Sequence, residues 1–382
     1  MKYLHIIPPS IRMMNGYLTM LEKYFPQEEH YVLIKGQVGL LDSPLLFYNN
    51  VTLLPQLGNN KIERYFLLKK YLESFDCVIF HSFKPNIKWT IFLFLNKNIL
   101  KKSIWVMWGI DLYTEKILKK LSFMNLETYL KNKFKYVVAI FETDIQVYIS
   151  KFNKNNVFCA PYGFIDDRFD EMDMNISSNK ESRNNDLVNI LVGHNGFIFN
   201  NHIDTLNNLE KFKNKNIELY LPVSYGNSKL LTGVTYVDAL IQFGKLKFKE
   251  KITFNRKMMS NSDYTKFLSK IDIAIFNSHR QNGLGNILQL LYMNKKIYLS
   301  DKNPIYKYLK NKEITIFNAN DIKTCDFEQL IKTTEKDENI NKKWVREKFS
   351  IHNSANIWKL IFSCMSNEIK FDEAIEKNKK FL

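Results

Sequence analysis

Short apolar runs recur along this chain with segments of helical period between them, the pattern of parallel strands covered by helices on both faces. In the first half the runs lie near Lys2–Ile7, His30–Ile34, Asp76–His81, Lys102–Trp108 and Tyr136–Phe141. After Pro161, Tyr162 and Gly163 comes DDRFDEMDMNISSNKESRNND, a polar stretch with little to bury and the composition of a linker. The pattern restarts with VNILVG at Val188, IELYLP at Ile217, KITF at Lys251, IDIAIF at Ile271, KIYLS at Lys296 and EITIF at Glu313. An α/β chain of two doubly wound domains is predicted, residues 1–165 and 187–345, joined by a linker over 166–186. A tail over 346–382, where Phe349, Trp358, Ile361 and Phe362 recur at helical spacing, is expected to be helical and to pack back on the domains. The length of 382 residues fits two cores better than one.

Charge narrows the partners. With 55 Lys and Arg against 39 Asp and Glu the formal net charge is +16, which favours nucleic acid, anionic lipid or a phosphorylated substrate. No basic recognition helix, zinc-ligand spacing or RNA-binding aromatic motif is present, so nucleic acid is not the expected partner. Cys77, Cys159, Cys325 and Cys364 are far apart, without the spacing of a metal site or disulfide framework. MKYLHIIPPS lacks the apolar core of an export signal, and the most apolar window, Trp89–Leu100, is interrupted and shorter than a membrane span. A soluble or peripheral protein is expected.

Ligands of doubly wound sheets bind just outside the carboxyl ends of the strands, so the loops there hold the candidate chemistry. In the second half these loops read GHNG at Gly193–Gly196, PVSYGN at Pro222–Asn227, SHRQNGLG at Ser278–Gly285 and SDKNP at Ser300–Pro304. They are rich in residues that approach phosphate and ribose closely. Arg280 supplies a counter-charge for a diphosphate, and the N–H groups of Gly285 and Asn286 at a helix start would cap it. An ordinary tight turn is the alternative for Gly283 and Gly285. In the first half, Asp111 follows the strand SIWVMW and a glycine turn, so its carboxylate is expected to project toward ligand and act as general base; a helix N-cap is the alternative. His81, at a strand end, is a second candidate base, or a packed, hydrogen-bonded residue.

WGIDLY, ILVGHNGFIFNNHIDTL at Ile190–Leu206, LPVSYGN and the order RQNGLG, helix, strand, DKNP together resemble the TDP-N-acetylfucosamine:lipid II N-acetylfucosaminyltransferases, also described as 4-alpha-L-fucosyltransferases, glycosyltransferase family 56. The resemblance implies a GT-B fold: two Rossmann-like domains across a cleft, acceptor mainly on the first and nucleotide-sugar donor on the second. It implies a TDP-linked deoxyamino sugar, an acceptor saccharide on undecaprenyl diphosphate in surface-polysaccharide synthesis, and peripheral attachment to the anionic cytoplasmic face of the bacterial inner membrane. No metal cofactor is implied. Arg280, Gly283, Gly285, Asn286 and Gln289 would then hold diphosphate and ribose, Gly193, Asn195 and Gly196 would lie near the phosphates, and Tyr225 and Asn227 would border the base. Retaining GT-B enzymes carry Glu, seven residues, Glu across this turn. Here the two positions are Gln281 and Gln289, so their mechanism does not carry over. The alternatives are a GT-B enzyme with a soluble acceptor and a non-catalytic nucleotide-sugar-binding scaffold.

Overall fold

The structure, a computed structural model, describes residues 1–8, 14–35, 50–58, 60–113, 123–182, 186–230, 233–332 and 338–381. Met1–Ile165 with Lys348–Leu382 form one compact unit, and Asp166–Glu347 a second.

The first unit is built on seven parallel strands: β1 (Tyr3–Ile7), β2 (His30–Ile34), β3 (Val51–Leu53), β4 (Cys77–His81), β5 (Ser103–Met107), β6 (Tyr136–Ala139) and β7 (Val157–Cys159). Their order is β3-β2-β1-β4-β5-β6-β7. The direction of growth reverses between β1 and β4, which makes that gap the topological switch point. Helices α1 (Asn15–Tyr24), α2 (Lys61–Glu73), α3 (Ile87–Leu95), α4 (Ile110–Tyr113), α5 (Phe123–Lys131) and α6 (Thr143–Phe152) follow the strands. Because helices cover both faces, β1, β4 and β5 are buried at every residue, and the strands read as apolar runs rather than alternations. On one face Ile7, Val32, Ile79 and Val106 pack with Tyr17, Leu21, Trp358 and Ile361. On the other, Ile6, Val78, Phe80 and Trp105 pack with Leu72, Phe92, Leu130 and Tyr148.

The second unit opens with α7 (Asp166–Ser182) and carries six parallel strands, β8 (Val188–Val192), β9 (Ile217–Pro222), β10 (Ile252–Asn255), β11 (Ile273–Phe276), β12 (Lys296–Leu299) and β13 (Phe317–Asn318). The order is β10-β9-β8-β11-β12-β13, with the switch point between β8 and β11. Its other helices are α8 (His202–Leu209), α9 (Tyr236–Phe248), α10 (Asn261–Ser269), α11 (Leu284–Tyr292), α12 (Pro304–Asn311), α13 (Phe327–Ile331) and α14 (Glu338–Phe349). Two further helices, α15 (Ile351–Met365) and α16 (Phe371–Phe381), belong to the first unit.

The polar stretch expected to be a linker is instead α7. Phe169 and Met172, three residues apart, are fully buried, and its acids have partners: Lys342 Nζ lies 2.6 Å from Asp173, and Tyr292 donates to the same carboxylate at 3.0 Å. Composition hid a helix whose apolar stripe is two residues wide. The short strands β3 and β7 also escaped the pattern. The expected strand at Glu313 shrinks to Phe317–Asn318, although Ile314 and Ile316 ahead of it are buried.

The tail is part of the first core. Trp358 of α15 is fully buried with its ring centroid 4.8 Å from that of Tyr17, and buried Asn378 of α16 makes a two-way bond with Cys159 of β7, accepting from its N–H and donating to its carbonyl, each at 2.9 Å. Asn378 thus completes the edge strand as a further strand would. Asn378→Ala leaves a buried N–H and C=O unpaired and is expected to destabilise the first unit by about 2–3 kcal/mol, read as a lower urea midpoint at unchanged m-value.

Candidate functional site

In the second unit the loops after β8 and β11 meet at the switch point. Gly193 ends β8 at φ +67°, and its N–H donates to Ile275 O of β11 at 2.9 Å. A side chain there would meet His202 Nε2 at 2.5 Å, so both the conformation and the space require glycine. The chain then turns through His194 and Asn195, both buried. Asn195 Oδ1 accepts from Phe197 N–H at 3.0 Å and from Asn200 Nδ2 at 2.7 Å, which orients the amide. Its Nδ2 therefore donates to His194 Nε2, at 2.7 Å. With Nε2 accepting, the neutral imidazole carries its proton on Nδ1. That Nδ1 is buried without a hydrogen-bond partner among the described residues. It lies 3.0 Å from where a side chain on Gly283 would begin.

Gly283, at φ +71°, is the N-cap of α11. It cannot supply a side-chain cap, so the first turn of α11 is left to other acceptors. The N–H of Asn286 is spent on Gly283 O at 2.9 Å, which corrects the expectation that it faces phosphate. The N–H groups of Leu284 and Gly285 lie ahead of it, and Gly285 borders open space. Arg280, in the same turn, holds its guanidinium 3.5 Å from the ring centroid of Phe199, which stacks on Phe197 at 5.0 Å. An arginine, a neutral imidazole N–H and a helix N-terminus thus converge, three donor types suited to a diphosphate. Burial first, and the Arg280 charge with it, lower the His194 pKa to about 4 against the opposing hydrogen bonds of Asn282 and Asn200. His194 therefore donates as a neutral group across the physiological range.

The remaining candidates divide. Gln281 is half-buried in the turn with Arg280. Gly196 packs its N–H onto Tyr225 O at 2.7 Å, and Tyr225 is exposed beside it. Asn227 accepts from Val237 N–H at 3.2 Å, in the first turn of α9, whose N-cap is Thr235. Gln289, expected on a ribose, is buried with both ends of its amide engaged: Oε1 accepts from Arg168 Nη2 at 3.0 Å and Nε2 donates to Gly285 O at 3.1 Å. It ties α7 to α11 instead. His194 was missed in the sequence, although it stands inside GHNG; only the amide network reveals its free N–H.

In the first unit Asp111 does not project toward ligand, nor does it cap a helix. It is buried at 3% exposure. Oδ2 accepts from Phe83 N–H and from Trp105 Nε1–H, both at 2.7 Å, and Oδ1 accepts from Trp108 N–H at 2.8 Å. A carboxylate so engaged holds together the chain leaving β4 and the chain leaving β5. His81, the last residue of β4, is fully buried, with Nδ1 hydrogen-bonded to the Tyr162 hydroxyl and Nε2 3.3 Å from His5 Nδ1. Trp108 Nε1–H donates to the same hydroxyl at 3.1 Å. Tyr162 is the half-exposed end of this group.

Two doubly wound parallel sheets, one in each unit, are the architecture of a glycosyltransferase of the GT-B fold. The family model of the 4-alpha-L-fucosyltransferases, glycosyl transferase group 56, matches residues 48–362, and the chain belongs to that family. Among solved structures, a glycosyltransferase from Rickettsia africae is similar over 95% of this chain and 98% of its own, with TM-score 0.68 and 17% identity. HepE from Anabaena, in complex with UDP and glucose, matches over 95% and 99% with TM-score 0.68 and 14% identity. WaaG, a glycosyltransferase involved in lipopolysaccharide biosynthesis, matches over 93% and 99% with TM-score 0.60 and 11% identity.

The buried histidines set an acid limit. Burial lowers His30 and His194 to about 4 and His81 and His202 to about 3, and holds His5 well below its ordinary value. Unfolding releases each to about 6.5, so below that pH the unfolded chain binds protons that the folded chain refuses. Stability is therefore full above pH 6.5 and lost as pH falls toward 4, by up to about 1.4 kcal/mol per pH unit for each histidine. Calorimetry at pH 7, 6 and 5 is expected to show a steep fall in Tm; a flat profile over that range would contradict burial of these rings.

Proposed function

We propose that this chain transfers a deoxyamino sugar of the N-acetylfucosamine or fucose type from a nucleoside diphosphate, TDP in the first instance, to a saccharide carried on undecaprenyl diphosphate. The product belongs to a bacterial surface polysaccharide, and the work is done peripherally on the cytoplasmic face of the inner membrane. The observation that carries the donor half is the convergence of Arg280, the unpartnered His194 Nδ1–H and the open N-terminus of α11. Family membership and the nucleotide named with HepE support the same reading.

In this reading the leaving diphosphate is stabilised by a guanidinium and fixed N–H groups. No metal is needed, and chelation leaves turnover unchanged. The site prefers a diphosphate to a monophosphate because three donors of different origin need more than one phosphoryl group to satisfy them.

The membrane half rests on α2 and α3. Ile87, Ile91 and Leu95 lie four residues apart on one face of α3 and are exposed together with Phe94, as are Ile62 and Phe66 of α2. The two helices are neighbours, since Asn96 Nδ2 donates to Tyr65 OH at 3.0 Å. Lys84, Lys88, Lys97 and Lys101 are exposed around the apolar ridge, and no acid occurs between Lys84 and Lys102. Apolar side chains ringed by lysines suit an anionic lipid surface, where each cation near the headgroups contributes about 1 kcal/mol. No helix among the described residues is long and apolar enough to cross a membrane.

A thermal-shift screen against TDP, UDP, GDP, CDP, CMP and ATP is expected to single out TDP or UDP, and Arg280→Ala to erase the shift. No stabilisation by any of them would refute the donor site. Separately, the protein is expected to float with phosphatidylglycerol-containing vesicles and not with phosphatidylcholine alone, and Ile91→Asp with Phe94→Asp to abolish flotation without moving the nucleotide shift; flotation of the double variant as wild type would refute the ridge.

A further inference from the structure

The face of the first sheet that packs on α1 and α15 carries three imidazoles in a diagonal row. His5 on β1 stands opposite Val32 of β2 and Ile79 of β4. His30 lies two residues before Val32 and His81 two after Ile79, so all three side chains share one face and step from the amino edge of β2 to the carboxyl end of β4. His30 Nδ1 is 3.0 Å from His5 Nε2, and His5 Nδ1 is 3.3 Å from His81 Nε2. The row ends on Tyr162, whose hydroxyl is bonded to His81 Nδ1 and receives Trp108 Nε1–H.

Such a row is costly in a core. Three imidazoles are buried where aliphatic residues would fill the space, walled by Tyr17, Trp358 and Phe362. Tyr17 OH also lies on it, 3.3 Å from His5 Nδ1, the Lys35 ammonium acts on His81 from the carboxyl side, and the amino-terminal ammonium acts on His30. The backbone bearing Tyr162 is also pinned. A side chain on Gly16 of α1 would strike Gly163 O at 1.9 Å, and one on Gly163 would strike Ser350 O at 2.5 Å. Each neutral imidazole has one N–H and one bare nitrogen, so the row must be polarised in one direction throughout. With Tyr162 giving its O–H to His81 Nδ1, every ring carries its proton on Nε2, and the Tyr162 oxygen, which accepts from Trp108, keeps capacity for a further proton.

We propose that Tyr162 is the catalytic group that receives the proton of the acceptor hydroxyl, and that His81, His5 and His30 behind it form a proton relay. The proposal rests on the glycosyl-transfer reading above. As the acceptor oxygen bonds to C1 of the sugar, the bond from C1 to the diphosphate oxygen breaks and its electron pair leaves with the diphosphate. The acceptor proton moves to Tyr162 Oη, the Tyr162 proton to His81 Nδ1, the His81 Nε2 proton to His5 Nδ1 and the His5 Nε2 proton to His30 Nδ1. The positive charge ends two rings beyond His81, away from Tyr162. The acceptor proton becomes strongly acidic once its oxygen gains its further bond, to C1, and is three-coordinate, so weakly basic rings suffice to take it. The same weak basicity returns it through Tyr162 to water when product leaves, which resets the row.

Two measurements test the relay, and the first needs no substrate. Long-range ¹H–¹⁵N spectra of the full chain labelled at histidine are expected to show His5, His30 and His81 neutral and protonated on Nε2 at pH 7; a proton on Nδ1 of His81 or His5 would overturn the proposed direction. The second follows nucleoside diphosphate release from whichever nucleotide sugar the screen selects, with water as acceptor where no saccharide is supplied. Tyr162→Phe is expected to lower kcat roughly 100-fold with little change in KM. His30→Asn, which touches neither Tyr162 nor substrate, is expected to lower kcat and to straighten a bowed proton inventory in mixed H₂O and D₂O. A wild-type inventory that is already linear, or Tyr162→Phe turning over as wild type, would overturn the relay while nucleotide binding stands. Absence of nucleotide binding would instead remove the reading on which the relay rests.

Discussion

Everything functional in this chain depends on how polar groups are satisfied where parallel strands stop. A parallel sheet buried on both faces delivers its loops to one edge, and each loop must turn there without stranding its backbone N–H and C=O groups. In the first unit one buried carboxylate, Asp111, does this for two strands by taking donors from Phe83, Trp105 and Trp108. In the second unit Asn195 and Asn200 do it for the turn after β8. Once those side chains are committed, His194 Nδ1 is left without a partner among the described residues, and the Tyr162 hydroxyl stands between Trp108 and His81.

The two edges differ in the charge they offer. The second unit presents a cation, a neutral N–H and a helix N-terminus, all suited to negative charge that grows as a leaving group departs. The first presents a phenol backed by neutral imidazoles, suited to taking up a proton. Glycosyl transfer needs one of each. The basic, apolar outer helices of the first unit are a separate matter, since the role proposed for them concerns where the enzyme sits rather than what it does.

The fold was legible because both-face burial writes strands as apolar runs, and the loops after those runs are where Arg280, Gly283 and Gly193 lie. What failed did so for physical reasons. Asp111 sits after a glycine turn, where sequence cannot tell a carboxylate facing ligand from one folded under its own loop. Gln289 looked free because its partner, Arg168, lies in a stretch whose composition concealed α7. His194 and Tyr162 carry no sequence signal of their own. Their roles follow from which neighbouring atoms are already occupied, and occupancy is a property of the folded network.

The central claim is that a nucleoside diphosphate is held by Arg280 with the unpartnered N–H of His194 at the start of α11. Calorimetric titration of TDP and UDP into wild-type protein and into His194→Ala tests it directly. The account predicts one nucleotide per chain, competition by inorganic pyrophosphate, and affinity at least about tenfold weaker in the variant, as expected when a buried donor to a charged group is removed. Binding of equal strength in the two proteins, or none in either, would contradict it.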